Sequence, residues 1–342
     1  MPSIIEMPEL VLEKIIEFSD FKSVLALREV CRDFRNFIEN LSDTKLPDSK
    51  FEAITLCTFN KHRRKSDMFL TYEEEYGFRR QFYSVMEKSR SINGKTTILE
   101  NSNIVDVAVQ DLETVLKFQK SDLECLSFHF GDFQHHNNSL IHTLPDKLTT
   151  MLGKLNRRIK TKEFSLKVNH QSQIVPILRN ADPDTLERLS LYSTGDMEIE
   201  IDDIVGTEQW KHAESIHCEP YLTNLKMEDV CHFSRISLKT NSVTARDMDT
   251  LKKTFLSSSE LMRYEFESRN FNEQELSNIW GPAFGFESAS HWYFQMKEWQ
   301  VLDFVVRREL MGRDRRCYCL NFDIIDMEDV PDGAVIHAYN EN

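Results

Sequence analysis

Apolar residues recur at helical spacing through the first forty positions of the chain, then give way to strand-like alternation. Leu12, Ile15 and Ile16 follow Met7, Pro8 and Glu9, and Pro8 suits a first helical turn, where its missing N–H costs nothing. Asp20 is placed to cap a second helix carrying Val24, Leu25 and Leu27. Val30, Cys31, Phe34, Phe37 and Ile38 predict the apolar stripe of a third, set between Arg28, Arg32, Asp33 and Arg35. Three helices this short bury too little surface to be stable alone, so their apolar faces must meet the rest of the chain or a partner.

Beyond residue 50 a six-residue phrase, apolar-x-x-apolar-x-apolar, returns eight times. It leads at Leu123, Thr161, Leu186, Ala213, Phe233, Leu261, His291 and Cys317, with steps of 20 to 38 residues, mostly in or near the period of leucine-rich repeats. Residues three, five and seven of each phrase, which were not used to find it, would point away from the core in a strand. Four of these 24 are apolar, against about 10 expected from the 40% chain average, so the phrases read as half-buried strands.

Helical signals fall between the phrases. Thr244 with Asp247 three residues on predicts a capped helix bearing Met248, Leu251 and Phe255. Asn272 does the same ahead of Leu276 and Ile279, and Val107, Leu112, Val115 and Leu116 predict another before Leu123. The expected class is α/β (α+β overall): three N-terminal helices, then an irregular, curved leucine-rich-repeat-like α/β solenoid with a mainly parallel sheet. The domain expectation is a helical module over 1–45 and an α/β domain over 46–342.

Composition and charge narrow the function. A net charge of −14 argues against binding a phosphate backbone, which needs clustered cations, so no nucleic-acid partner is expected. No apolar run approaches 18 residues and no secretory signal pattern opens the chain, so neither a membrane partner nor export is expected, and the site of action is cytoplasmic or nuclear. The seven cysteines are scattered and read as reduced thiols. Lys61, His62, Arg63, Arg64 and Lys65 form a basic run read as an exposed loop.

Candidate chemistry is sparse. Cys317 and Cys319 share a strand face and His135, His136 and His142 cluster, but no closed set of four zinc ligands is visible, so neither metal nor cofactor is expected. There is no nucleophile elbow, P-loop or dinucleotide glycine motif, and His217 and Cys218, as strand neighbours, face opposite ways. Trp210, Trp280, Trp292 and Trp299 read as core or rim aromatics. No catalytic residues are expected.

The N-terminal run from Met7 to Ile38 resembles an F-box, the module by which substrate receptors dock on a Skp-type adaptor of cullin-RING ubiquitin ligases. The carrying residues are Met7, Pro8 and Glu9, the Ile15 and Ile16 pair, and Val30-Cys31-Arg32-Asp33-Phe34; Met7 stands for the usual Leu and Phe34 for the usual Trp. Farther on the chain resembles the FTH domain, which follows the F-box in many nematode F-box proteins. That likeness rests on Ile177 and Leu178, Pro183-Asp184-Thr185-Leu186-Glu187, Glu208-Gln209-Trp210-Lys211 with Ala213, His232-Phe233, Ile236 with Leu238, and the helix from Thr244 to Ser257. Asp184 replaces the family's Gly, and the FTH region is placed at about 95–290.

The resemblance implies a non-catalytic substrate receptor of an SCF-type ligase. Its partners would be a Skp-type adaptor, through it a cullin, and a target protein. Met7, Pro8, Glu9, Leu12, Ile15, Leu25, Val30 and Phe34 are the implied adaptor surface, some also serving the module's own packing. Outward strand positions Arg188, Tyr192, Arg235, Lys239, Arg263 and Tyr293 are the expected target face, because Arg and Tyr dominate interface hot spots. A non-degradative scaffold that binds the adaptor is the alternative, and an unrecognised enzyme the third reading.

Overall fold

The computed structural model describes residues 6–60, 66–75, 77–131, 140–257, 262–286, 288–296, 299–311 and 315–338. The chain divides into two compact units, one of 1–165 with 176–185, the other of 166–175 with 186–342.

The first unit opens with α1 (Glu9–Phe18), α2 (Phe21–Val30) and α3 (Arg32–Asn40). Asp20 caps α2 as expected, its carboxylate accepting the Ser23 N–H at 2.8 Å. Val30 departs from expectation: it ends α2 and lies exposed, because Cys31 turns extended and caps α3 by accepting the Phe34 N–H on its sulfur. An antiparallel meander follows, formed by β1 (Ala53–Asn60), β2 (Ser66–Glu74), β3 (Gly77–Ser84), β4 (Ser89–Ile92) and β5 (Lys95–Ile98). After α4 (Ile104–Phe118), strand β6 (Leu123–His129) returns parallel to β1, and α5 (Leu144–Leu152) comes next. Ile54 and Leu56 of β1, Met68 and Leu70 of β2 and Leu126 and Phe128 of β6 are fully buried, the period-two pattern of a half-buried sheet.

Phe21 of α2 joins the helices to this core. Its ring meets Phe51 edge-on at 5.1 Å and Phe118 of α4 at 5.0 Å, while Phe51 contacts Tyr72 at 4.7 Å. Gln119 locks the segment between α3 and β1: its buried amide accepts from Ser49 Oγ (2.6 Å) and Phe51 N (3.0 Å) and donates to the carbonyls of Phe51 (3.1 Å) and Ser121 (2.9 Å). Gln119→Leu keeps the bulk but strands the buried Phe51 N–H and C=O, so a loss of about 3 kcal/mol is expected. Urea unfolding measures it; a loss below about 1 kcal/mol would show that the clamp is incidental.

Strand β7 (Thr161–Val168) and helix α6 (Ile174–Leu178) are divided between the units. In the second unit come β8 (Arg188–Ser193), β9 (Glu198–Ile199), α7 (Asp202–Val205), α8 (Glu208–His212), β10 (Ser215–Leu222), β11 (Arg235–Ser242), α9 (Ala245–Ser257), β12 (Arg263–Asn270) and α10 (Glu273–Trp280). Strands β8, β10, β11 and β12 run parallel in that order, and β9 adds to β10 past a bulge between Cys218 and Tyr221. Then follow β13 (Phe284–Phe286), β14 (Ala289–Gln295), β15 (Gln300–Met311), β16 (Arg315–Asp326) and β17 (Ile336–His337). They extend the ladder antiparallel: β16 pairs with β12, then β15, β14 and β13, while β17 adds parallel to β14.

The result is an α/β fold with a mixed sheet. The last two repeat phrases lie on β14 and β16, linked through β15 by a meander and not by crossovers. The Thr244–Asp247 capping box is present, with Asp247 N–H donating to Thr244 Oγ1 at 3.2 Å and Thr244 N–H donating to Asp247 at 2.8 Å. Asn272 caps α10 by accepting from Gln274 and Glu275. Among the described residues no helix is long and apolar enough to cross a membrane.

Candidate functional sites

Helix α1 carries apolar side chains on two faces. Leu12 and Ile16 are buried, but Met7, Leu10, Val11 and Phe18 are 44%, 69%, 42% and 84% exposed. Leu10, Val11 and Phe18 stand at i, i+1 and i+8, which brings them to one side of the helix, Met7 lies just ahead of it, and Val30 at the end of α2 is 68% exposed. Five large apolar groups are thus left in water on a module of three short helices.

Of the residues expected on the adaptor surface, Met7, Pro8, Glu9 and Val30 are exposed and Ile15 is half-buried. Leu12 and Phe34 lie in the packing of the helices instead. Leu25 is half-buried beside a cavity of about 270 Å³ also lined by Arg28, Tyr72, Arg90 and Asp111. Leu10, Val11 and Phe18 were missed because a single helical seam through Leu12 and Ile16 accounts for the apolar spacing, and the second face shows only once the first is docked.

The second surface is the outward face of β8, β10, β11 and β12. Register places Arg188, Ser215, Arg235 and Arg263 side by side at one level, with Ser190, His217, Ser237 and Glu265 at the next. His217 Nδ1 and Ser237 Oγ are 3.2 Å apart. A cavity of about 190 Å³ opens here, and both levels line it. Farther along the strands the charges are paired: Lys239 meets Glu267 at 3.1 Å, and Arg269 bonds Glu198 and stacks on the Tyr221 ring at 3.7 Å. Burial, then the hydrogen bond to Glu267, pushes the Tyr221 hydroxyl up to about 12.

The structure thus brings Arg188, Arg235 and Arg263 together, with half-buried Tyr192 and Lys239 farther along the same face. Tyr293 does not belong with them. It is 3% exposed on β14, paired with Asp303 of β15 and Ile336 of β17 and stacked on His291, so it cannot offer its ring to a partner. Sequence alternation alone could not distinguish an outward position that faces water from one covered by neighbouring structure.

Glu309 of β15 joins Cys317 and Cys319, with ligand atoms within 4.8 Å of one another, giving three donors where a closed zinc site has four. Burial and the Glu309 carboxylate push the Cys319 thiol up to about 12, so it is a neutral thiol. His217 is half-buried while Cys218 faces the core, as their alternation required. His135, His136 and the 61–65 basic run lie outside the described residues. Trp210, Trp280 and Trp292 are core and Trp299 is exposed.

Trp210 meets Phe233 edge-on at 5.1 Å, His232 Nε2 reaches the Trp210 carbonyl at 2.9 Å, and Thr185 Oγ1 accepts the Thr161 N–H at 3.1 Å. Ile177, Leu178 and Leu186 are buried.

Residues 4–46 match the F-box domain family and residues 142–283 match the FTH domain family. No curated protein and no solved structure matches the chain. With the exposed apolar groups of α1 inside the first match and the strand face inside the second, the two matches in this order make the chain an F-box protein carrying an FTH domain.

Proposed function

We propose that this protein is the substrate-recognition subunit of an SCF-type cullin-RING ubiquitin ligase, working in the cytosol or nucleus. The F-box domain implies binding to a Skp-type adaptor, and the adaptor brings the cullin. The observation that carries the reading is the apolar face of Leu10, Val11 and Phe18 left uncovered on α1, with exposed Met7 just ahead of the helix and Val30 at the end of α2. Pro8, Glu9, Ile15 and Leu25 complete the docking surface, while Leu12 and Phe34 hold the helices beneath it in shape. The face bearing Arg188, Tyr192, Arg235, Lys239 and Arg263 takes the target.

The contribution to the reaction is proximity. Holding the target beside the ubiquitin-charged enzyme raises the effective concentration of its lysine, and the receptor needs no reacting group of its own. The test is co-purification with Skp-type adaptors, followed by addition of the cullin-RING core in a cell extract. A stable complex and chain-dependent ubiquitin transfer to extract proteins are expected. Failure to bind any adaptor paralogue overturns the reading, and binding without ubiquitin transfer leaves a scaffold in its place.

A further inference from the structure

We infer that the outward face of the meander in the first unit, centred on Arg80 among the rings of Phe69, Phe78 and Phe82, binds a short segment of a partner protein in which one carboxylate stands between apolar side chains. This surface shares no residue with the α1 face or with the strand face of the second unit, and the inference goes beyond the receptor reading.

Strand alternation turns Ile54, Leu56, Met68, Leu70 and Tyr83 into the core and leaves Phe59, Phe69, Phe78, Arg80 and Phe82 on the other side of β1, β2 and β3. Register sets Phe69 opposite Phe82 and Thr71 opposite Arg80. The Phe69 ring lies 5.6 Å from Phe59 and 6.5 Å from Phe82, so the aromatics form one connected group. Phe78 is 65% exposed and Phe82 42%. The Arg80 guanidinium is 4.8 Å from the Phe69 ring, 5.3 Å from Phe78 and 5.9 Å from Phe82, all within reach of cation–π attraction. Its Nε donates to Thr71 Oγ1 at 3.1 Å, which fixes the plane of the group.

The charge and area of this face select its occupant. Arg79 next door is paired with Glu74 at 3.5 Å, but among the described residues no carboxylate lies within ion-pair distance of Arg80 and neither Nη has an acceptor. Two such N–H groups held in one plane match the two oxygens of a carboxylate. Asp67 and Glu73 point to the same side of β2, so a phosphate dianion would meet two carboxylates against one cation, whereas a single carboxylate is balanced by Arg80 alone. Phe78 and Phe82 together leave about 200 Å² of ring in water. A stable dimer needs about 800 Å² from each partner, so the face seats a few side chains of a short segment and not a second copy of the chain. Arginine set among aromatic rings is the composition of an interface hot spot, and the rings supply the apolar contact that flanks the ion pair.

The test measures retention of fluorescent peptide pools by the full chain. One pool has degenerate positions around a core of an apolar residue, any residue, Asp or Glu, any residue and a second apolar residue. A second pool replaces the acid with Asn or Gln, and a third keeps the acid but replaces both apolar residues with Ser. The first pool should be retained at least about tenfold better than either of the others. R80E should abolish that preference at an unchanged thermal midpoint and should instead favour a fourth pool with Lys in place of the acid, a reversal that unfolding cannot produce. F78S/F82S should bring the first pool down to the level of the third. Equal retention of the first pool and either control, or a preference that survives in R80E, overturns the inference. Sedimentation of the chain alone should show a monomer; a dimer that R80E dissociates would make a second copy the occupant and overturn it as well.

Discussion

Replacing Leu10 and Val11 together with aspartate is expected to abolish adaptor binding by more than about a thousandfold while leaving the thermal midpoint where it is. Leu10 is 69% and Val11 42% exposed in the free chain, so their replacement falls among surface substitutions worth about 0.5 kcal/mol or less each to stability. They also occupy the first turn of α1, beside Glu9, where acidic groups complement the helix dipole, so α1 persists. Docking is different. Burying a Leu or Val contributes about 1.5–3 kcal/mol each, and forcing two carboxylates into a desolvated contact adds a further penalty of a few kcal/mol. Together these exceed the roughly 4 kcal/mol that separates a thousandfold change in dissociation constant.

The informative control is Leu12→Ala. Leu12 is buried in the helical packing, so its truncation should cost about 2–5 kcal/mol of stability and weaken binding only through unfolding. Calorimetric titration with the adaptor beside thermal melts separates the two outcomes. Wild-type affinity in the Leu10→Asp, Val11→Asp variant would remove α1 from the docking surface and leave its exposed apolar side unexplained.

How much of this was legible in the sequence depended on whether one periodicity governed each segment. Asp20, Thr244 and Asn272 were readable as caps because a cap is local chemistry: one side-chain oxygen and an N–H two or three residues on. The parallel strands were readable because each buries one face. Ile236 and Leu238 face in, while Arg235, Ser237 and Lys239 alternate out.

The β15 strand was invisible for the opposite reason. Val301, Leu302, Phe304, Val305 and Val306 are all buried, with Asp303 between them at 8%, so both faces are covered and the period-two signal vanishes. Without β15 the phrases at Phe294 and Leu320 looked like further turns of a repeat. At the head of the 53–98 meander the same phrase falls on Phe51, Ile54 and Leu56, in register with Leu126 and Phe128 of β6, and went unread because no repeat step led to it; Val30 was misplaced because a run of five apolar positions cannot show that its first member ends the preceding helix. The arginine row needed register, a property of strand pairs that no single segment encodes.

Phe304→Ala is expected to destabilise the second unit by about 3–5 kcal/mol, the range for deleting a buried phenyl ring. The reason is its place in one continuous inward row: Leu189, Ile216, Ile236, Tyr264, Phe322, Phe304 and Trp292 are matched strand by strand from β8 to β14. In that row the parallel strands end at Tyr264 and the antiparallel ones begin at Phe322, so Phe304 carries the core across from one to the other. Its ring lies 4.7 Å from Phe322, 5.1 Å from Trp280 and 6.0 Å from Trp292. Alanine removes contacts on three sides at once, and the rigid indoles of Trp280 and Trp292 are poorly suited to collapse into the space. A fall in melting temperature of roughly 10 °C should follow for a unit of this size. Phe304→Leu, which keeps most of the volume, should cost about a third as much, and Trp299→Ala, at a ring 76% exposed, should change the melt by no more than about 2 °C. If Phe304→Ala melts like Trp299→Ala, the two halves of the sheet do not share a core, and the continuity of that row would have to be abandoned along with the fold it describes.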